Sequence, residues 1–278
     1  MPSQSEKAAI FRALHEGDTA FIIPNPWDAG TARLLAHLGF QALATTSAGY
    51  AFSAGKPDHG VSREAMLEHV ATIAAAVDLP VSGDLENGYG DSPQEAAQTI
   101  VLAAAAGLVG GSIEDSTGRA DQPIYDIGVA TERMQAAAEA AHVLSFPFTL
   151  TARAENYLHG INNLDDTIRR LQAYQQAGAD VLYAPGLTRI EEIEAVVRSV
   201  DRPVNVLAGL GSAPLDRSTL SAIGVKRVSV GGALSRAALG AFLRAAHEMH
   251  DNGVFTFTSQ AANSSELNEI FTSFESLN

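Results

Sequence analysis

The chain has 278 residues, long for an average domain but enough to bury one large core, and 46% of them are hydrophobic against 18% charged. That composition is globular, and no apolar run reaches the roughly 18 residues of a membrane span, so a soluble chain without a membrane partner is expected. Lys plus Arg is 18 against 32 for Asp plus Glu, a net charge of −14 that argues against nucleic acid, while the absence of Cys excludes disulfides, thiolate metal sites and a Cys acid or nucleophile.

The same negative field repels an anionic substrate, so an enzyme of this composition needs a local positive centre such as a bound cation or a placed Arg. The N-terminal stretch MPSQSEKAAIFRALHEG carries acids and has no apolar h-region, which makes a cytoplasmic location the expectation.

From residue 19 onward, short apolar runs alternate with longer segments of helical period. The predicted strands are AFII (20–23), ALATTS (42–47), PVSGD (80–84), GGSIE (110–114), FTLTAR (148–153), VLYAP (181–185), VNVLA (204–208) and RVSVG (227–231). Between them, Ser92, Pro93 and Glu95 supply an N-cap, a first-turn proline and a capping-box acid, and Gly39, Gly107, Gly178 and Gly224 each close a helical stretch. The strands are continuous rather than alternating apolar runs, as expected of parallel strands covered on both faces.

Eight such units predict a single α/β domain, a (β/α)8 TIM barrel over residues 1–252, with a doubly wound sheet as the alternative because strand order is not written in one sequence. The eighth helix is expected near 233–251. Residues 253–278 form a polar linker and a short amphipathic helical tail with Leu267, Ile270, Phe271 and Phe274, whose apolar face a neighbouring subunit would cover as well as its own barrel.

In a barrel the chemistry sits at the C-terminal ends of the strands, so the polar residues there are the candidates. Strand two ends in Ser47, Ala48, Gly49 and Tyr50, followed by Asp58. Strand three ends in Asp84, Leu85, Glu86, strand four in Glu114, strand five in Arg153 and Glu155, and strand seven carries Asn205. Asp84 and Glu86 are two apart and so share one side of an extended backbone, with Glu114 on the adjacent strand. Acids crowded in this way require protonation or a cation between them; a hard divalent ion fits oxygen ligands, and Mg2+ suits a site with few direct carboxylates, with Mn2+ as the alternative.

The ordered series Pro24–Ala29, Thr46-Ser47-Ala48-Gly49, Pro57-Asp58, Gly83-Asp84-x-Glu86-x-Gly88-Tyr89-Gly90, Ile113-Glu114-Asp115 and Thr151-Ala152-Arg153 resembles the isocitrate lyase and phosphoenolpyruvate mutase superfamily over nearly the whole chain. The resemblance implies a magnesium-dependent barrel enzyme acting through an enolate held on the metal. It implies metal-binding acids at Asp84, Glu86 and Glu114, a further active-site acid at Asp58, and a guanidinium at Arg153 that holds a substrate carboxylate. Backbone amides of the Ser47–Gly49 turn would cradle the other end of a 2-oxo acid, with Glu155 and Asn205 as pocket neighbours; Tyr50, placed at the barrel mouth by its position after strand two, is a candidate to contact substrate, donate a proton or line the wall. A homo-oligomer, dimer or tetramer, with exchanged C-terminal helices is also implied.

Two departures narrow this. Glu86 stands where the family usually has Asp, and the lid after strand four reads DSTGRADQPIYDIG in place of the lyases' Cys-containing motif or the mutases' Lys, Thr and Asn. Arg119, Asp121 and Tyr125 on that loop, with loop histidines His59 and His159 and with Tyr89, are the remaining candidates for proton transfer. The leading expectation is a carbon-carbon lyase of decarboxylase, hydrolase or retro-aldol type acting on a small 2-oxo or 2-hydroxy dicarboxylate. Carbon-phosphorus chemistry of the phosphonopyruvate hydrolase or mutase kind is the second reading, and a non-catalytic 2-oxo acid binding protein the third.

Overall fold

A computed structural model describes residues 2–209 and 215–275. After helix α1 (Gln4–Glu16), the elements alternate: β1 (Phe21–Ile23), α2 (Ala29–His37), β2 (Leu43–Ala44), α3 (Ser47–Ser53), α4 (Arg63–Ala76), β3 (Val81–Asp84), α5 (Pro93–Ala105), β4 (Gly110–Glu114) and α6 (Ile127–His142). They continue with β5 (Thr149–Arg153), α7 (Leu164–Gln176), β6 (Val181–Tyr183), α8 (Ile190–Arg198), β7 (Val204–Leu207), α9 (Arg217–Ala222), β8 (Arg227–Ser229), α10 (Ala233–His247) and α11 (Ser264–Glu275).

All eight strands are parallel in the order β1-β8-β7-β6-β5-β4-β3-β2. The seam between β1 and β2 is bridged where the Ala44 N–H donates to the Pro24 carbonyl at 3.1 Å, so the sheet is a nearly closed barrel. The predicted α/β barrel, and each of its eight strands, is present.

The local signals act as their chemistry requires. Ser92 accepts from the Glu95 N–H and Glu95 answers to the Ser92 backbone, with Pro93 at the first turn of α5. The bottom of the barrel is plugged by α1, whose Ala8 and Phe11 pack with Phe21, Ile23, Ala42 and Val109. The larger apolar layer lies between the strands and α4 to α8, where Met66, Ile73, Ile100, Met134 and Leu171 are fully buried.

Strand two is shorter than expected. Its last three predicted residues fall outside the strand, because the Thr46 hydroxyl accepts from the Gly49 N–H and starts a helix at Ser47, so the expected Ser47–Gly49 turn is the first turn of α3. Gly49 is needed there: a Cβ would lie 2.6 Å from Thr46 Cγ2 and 3.1 Å from Trp27 Cβ.

The two C-terminal helices differ in cover. On α11, the Phe274 ring lies under the Arg33 guanidinium of α2 at 5.6 Å, so the tail, up to the last three residues that lie outside the described ones, rests on its own barrel. By contrast α10 buries only Ser235 and leaves Leu239, Phe242 and Leu243 in solvent, with Phe242 66% exposed. Among the described residues no helix is long and apolar enough to cross a membrane.

Candidate active site

A cavity of about 210 Å3 opens at the C-terminal ends of the strands. This is small against the several hundred Å3 of a drug-sized pocket and fits a compact metabolite. Asp58, Asp84, Glu114, Arg153, Glu155, Asn205, Ser47 and Ala48 line it, together with His59.

Arg153 is the centre of the β3 to β5 wall. Its Nη1 lies 2.9 Å from Asp84 and 3.1 Å from Glu114, its Nε donates to Glu155 at 2.9 Å, and its guanidinium sits 5.2 Å from the centre of the Tyr183 ring. Burial alone would weaken this cation, yet Glu114, Glu155 and Asp84 hold its pKa well above the usual guanidinium value. The acids feel the reverse balance. Burial pushes Glu114 well up and Glu155 up, each opposed by the charge of Arg153.

The backbone places these groups. Glu114 and Arg153 are register partners on β4 and β5. Asp84, at the end of β3, takes the Ser47 N–H and hydroxyl on one carboxylate oxygen, each at 2.9 Å, while its own N–H donates to the Thr45 hydroxyl. Glu155 is fixed from behind: its N–H donates to Asp115 at 2.8 Å, and Asp115 in turn accepts from Arg170 at 3.0 Å and Tyr174 at 2.6 Å.

Glu86 turns to a second group. With φ of 49°, it directs its carboxylate to His59 Nδ1 at 3.4 Å, and the ligand atoms of Asp58, His59 and Glu86 lie within 4.8 Å of one another. The hydrogen bond to Glu86, reinforced by Glu114 and Asp58, pushes the His59 imidazole up to about 9. Burial raises Glu86 itself. Among the described residues the non-glycines in left-handed backbone are His59, Glu86 and Tyr89, so the strain concentrates on the loops that carry this cluster.

The predicted residues thus fall into three positions. Asp84, Glu114, Arg153 and Glu155 converge on one guanidinium, with Ser47 behind Asp84. Glu86 and Asp58 meet at His59 beside them. Tyr50 stands apart, its ring stacked on His69 at 3.7 Å, and the Gly49 N–H is already used by Thr46. Arg119 and Tyr125 of the lid both bind Asp91, Arg119 at 2.9 Å, while His159 meets the Ser116 hydroxyl at 3.1 Å.

The far wall joins the predicted Asn205 to Arg227 and Ser229, to which the sequence pattern assigned no role. Asn205 donates to Ser229 at 2.9 Å and accepts from Arg227 Nε at 2.9 Å, and Arg227 lines the cavity although it is 5% exposed. The available signal was a cation and a Ser two apart in the otherwise apolar run RVSVG, which places both on one side of the strand.

The sequence profile of the phosphoenolpyruvate phosphomutase family matches residues 11–250. The chain belongs to the isocitrate lyase and phosphoenolpyruvate mutase superfamily. Its members are lyases and mutases, and this chain is an enzyme of that type. A solved structure from Burkholderia cenocepacia, provisionally named a lyase/mutase, is 64% identical, with a TM-score of 0.94 and 96% of each chain covered. An uncharacterised protein of Mycobacterium tuberculosis is 32% identical over 87% of this chain and 89% of its own length. Oxaloacetate decarboxylase of Chromohalobacter salexigens is 28% identical over 90% of this chain and 88% of its own.

Proposed function

We propose that this superfamily member is a magnesium-dependent carbon-carbon lyase that cleaves a small 2-oxo or 2-hydroxy dicarboxylate, with oxaloacetate-like and malate-like compounds as the substrate class. The observation that carries the reading is the surplus of negative charge at the cavity: Asp58, Asp84, Glu86, Glu114 and Glu155 face one guanidinium and one imidazole. The likeness to an oxaloacetate decarboxylase supports it.

The donor set fits a hard divalent ion, because every carboxylate is an oxygen ligand and the five acids outnumber Arg153, Arg227 and His59. Asp84, Glu86 and Glu114 are the residues that would hold Mg2+, with Asp58 beside them. A bound cation supplies positive charge to a substrate oxygen that turns negative as the carbon-carbon bond breaks. The chain's own groups do the rest. Arg153 offers its Nη2, which no described acid engages, to a substrate carboxylate, Ser47 fixes the Asp84 carboxylate, and the Asp115 network fixes Glu155 against Arg153. The wall of Asn205 and Ser229 supplies neutral polar groups opposite the acids.

The homo-oligomer belongs to the same reading. The uncovered Leu239, Phe242 and Leu243 of α10, together with the outward Ile22 of β1 at 37% exposed, are two apolar surfaces that a second copy would cover by helix exchange. Phe242→Asp should convert the assembly to a smaller species by analytical ultracentrifugation.

The test of activity is a panel of 2-oxo and 2-hydroxy dicarboxylates with Mg2+, with and without EDTA, followed by pyruvate or glyoxylate release. Phosphate release from phosphonopyruvate, with no cleavage of any dicarboxylate, would move the assignment to carbon-phosphorus chemistry.

A further inference from the structure

The cavity floor contains a buried cation with no anionic partner among the described residues. Arg227 Nε donates to Asn205 Oδ1 at 2.9 Å, Nη2 donates to Thr151 Oγ1 across the barrel at 3.0 Å, and Nη1 meets His15 Nε2 at 3.4 Å. His15 accepts that contact as a neutral ring, since its Nδ1–H is given to the Phe11 carbonyl at 2.8 Å. A guanidinium has five N–H groups, so two of them have no acceptor among the described residues.

No described carboxylate forms a salt bridge with Arg227, whereas the half-buried Arg153 and the buried Arg170 each hold acids at 3.0 Å or less. Burial, with a small push from Arg153, brings Arg227 down only to about 10, so it carries its charge at neutral pH. Leaving such a charge unpaired in a cavity is unfavourable, and an anion that enters relieves it.

The placement of the two cations gives the cavity a direction. β5, β6, β7 and β8 put Arg153, Tyr183, Asn205 and Arg227 in successive register. Arg153 already holds three acids on one side through Nη1 and Nε, and Arg227 is held only by neutral groups on the other. A ligand whose 2-oxo acid end lies at the acidic wall therefore meets the unsatisfied cation with its remote end. A remote methyl group would leave that cation unpaired; a remote carboxylate would match it.

We propose that Arg227 is the specificity-determining residue of this site, selecting substrates that carry a second carboxylate remote from the 2-oxo acid group. The inference rests on the reading of the cavity as a 2-oxo acid site and names the residue that makes it a dicarboxylate site.

Isothermal titration of the full chain in MgCl2 tests it with three kinds of probe: oxalate, which has no remote end, and the matched pairs 2-oxobutyrate with oxaloacetate and 2-oxopentanoate with 2-oxoglutarate. The native chain should bind at least one diacid 10-fold or more tighter than its monoacid partner. Arg227→Gln should abolish that preference, with a loss on the order of 100-fold for the diacid, because a site built to pair a polar group discriminates strongly. Its oxalate affinity should change by less than about threefold, the scale of one modest packing adjustment, and Arg227→Lys should keep part of the preference.

Equal affinity for both members of each pair in the native chain overturns the proposal without any variant, which protects the test if Arg227→Gln fails to fold. A folded Arg227→Gln chain that still prefers the diacid also overturns it. Failure of the native chain to bind oxalate with Mg2+ is a different result, and it removes the 2-oxo acid reading itself.

Discussion

The two walls of the cavity are built on opposite principles. From β3 to β5 the charged side chains are tied to one another, so that Asp84, Glu114 and Glu155 share Arg153 and Asp115 braces Glu155 through its backbone. On β7 and β8 the cation Arg227 is held by an amide, a hydroxyl and a neutral imidazole. A site of the first kind has fixed geometry and surplus negative charge, suited to a cation. A site of the second kind keeps positive charge available for a ligand.

The sharpest way to break the contrast is at Asp84, which belongs to the charged wall and to the candidate metal set. Asp84→Asn should lower turnover by about 10^3-fold or more, on the scale of losing a principal electrostatic stabiliser. The chain should stay folded by circular dichroism. Ser47→Ala touches the same carboxylate only through its hydroxyl and keeps the backbone bond, so Mg2+ affinity should fall by about 10-fold to 100-fold, as for other outer partners of a metal ligand. Equal effects from both substitutions would mean that Asp84 acts only through its place in the α3 contact.

A third prediction concerns the loop that joins the walls to the lid. Arg133 of α6 is fully buried, donates to the Asn87 carbonyl and, at 3.2 Å, to the Ser92 carbonyl, and lies 4.5 Å from the Tyr125 ring centre. Arg133→Met removes the donors while keeping much of the volume, and should cost about 2 to 4 kcal/mol in urea unfolding, because two half-buried carbonyls lose their partner. A change within about 0.5 kcal/mol would show that water replaces those bonds.

The smallest expected effect is on pH. Burial and the charge of Arg227 push the His15 imidazole down to about 3, well below the roughly 6.5 of an unfolded chain. The unfolded state therefore binds the proton more readily, so stability is full above pH 6.5 and is lost as pH falls from there toward 3. His15→Gln should flatten this slope while leaving the neutral-pH stability lower. An unchanged acid limb in that variant would place the acid sensitivity elsewhere, with His69, which burial also brings down to about 4, the next residue to vary.

Most of the charged wall was legible in the sequence, and little of the neutral wall. Asp84, Glu114 and Arg153 terminate apolar runs, so strand position alone brings them to one end of a barrel. Arg227 and Ser229 share a run whose other residues carry no polar side chain, and only the closure of β8 on β1 shows which side they face. Tyr50 was placed at the mouth by its neighbours in sequence. The helical step of α3 instead turns it onto His69, because Thr46 caps a helix where an extended turn was expected. The uncovered face of α10 was also hidden, since its periodicity is that of any barrel helix and says nothing of which barrel it packs on.

The central claim is that the acidic wall works through a divalent cation. Metal-stripped protein should be titrated with MgCl2 while cleavage of a dicarboxylate from the panel is followed. The account predicts activity that is absent in EDTA, returns with saturable Mg2+ dependence, and is abolished in Asp84→Asn at every Mg2+ concentration. Full activity in EDTA, or an Asp84→Asn chain that titrates as the native one does, would contradict it.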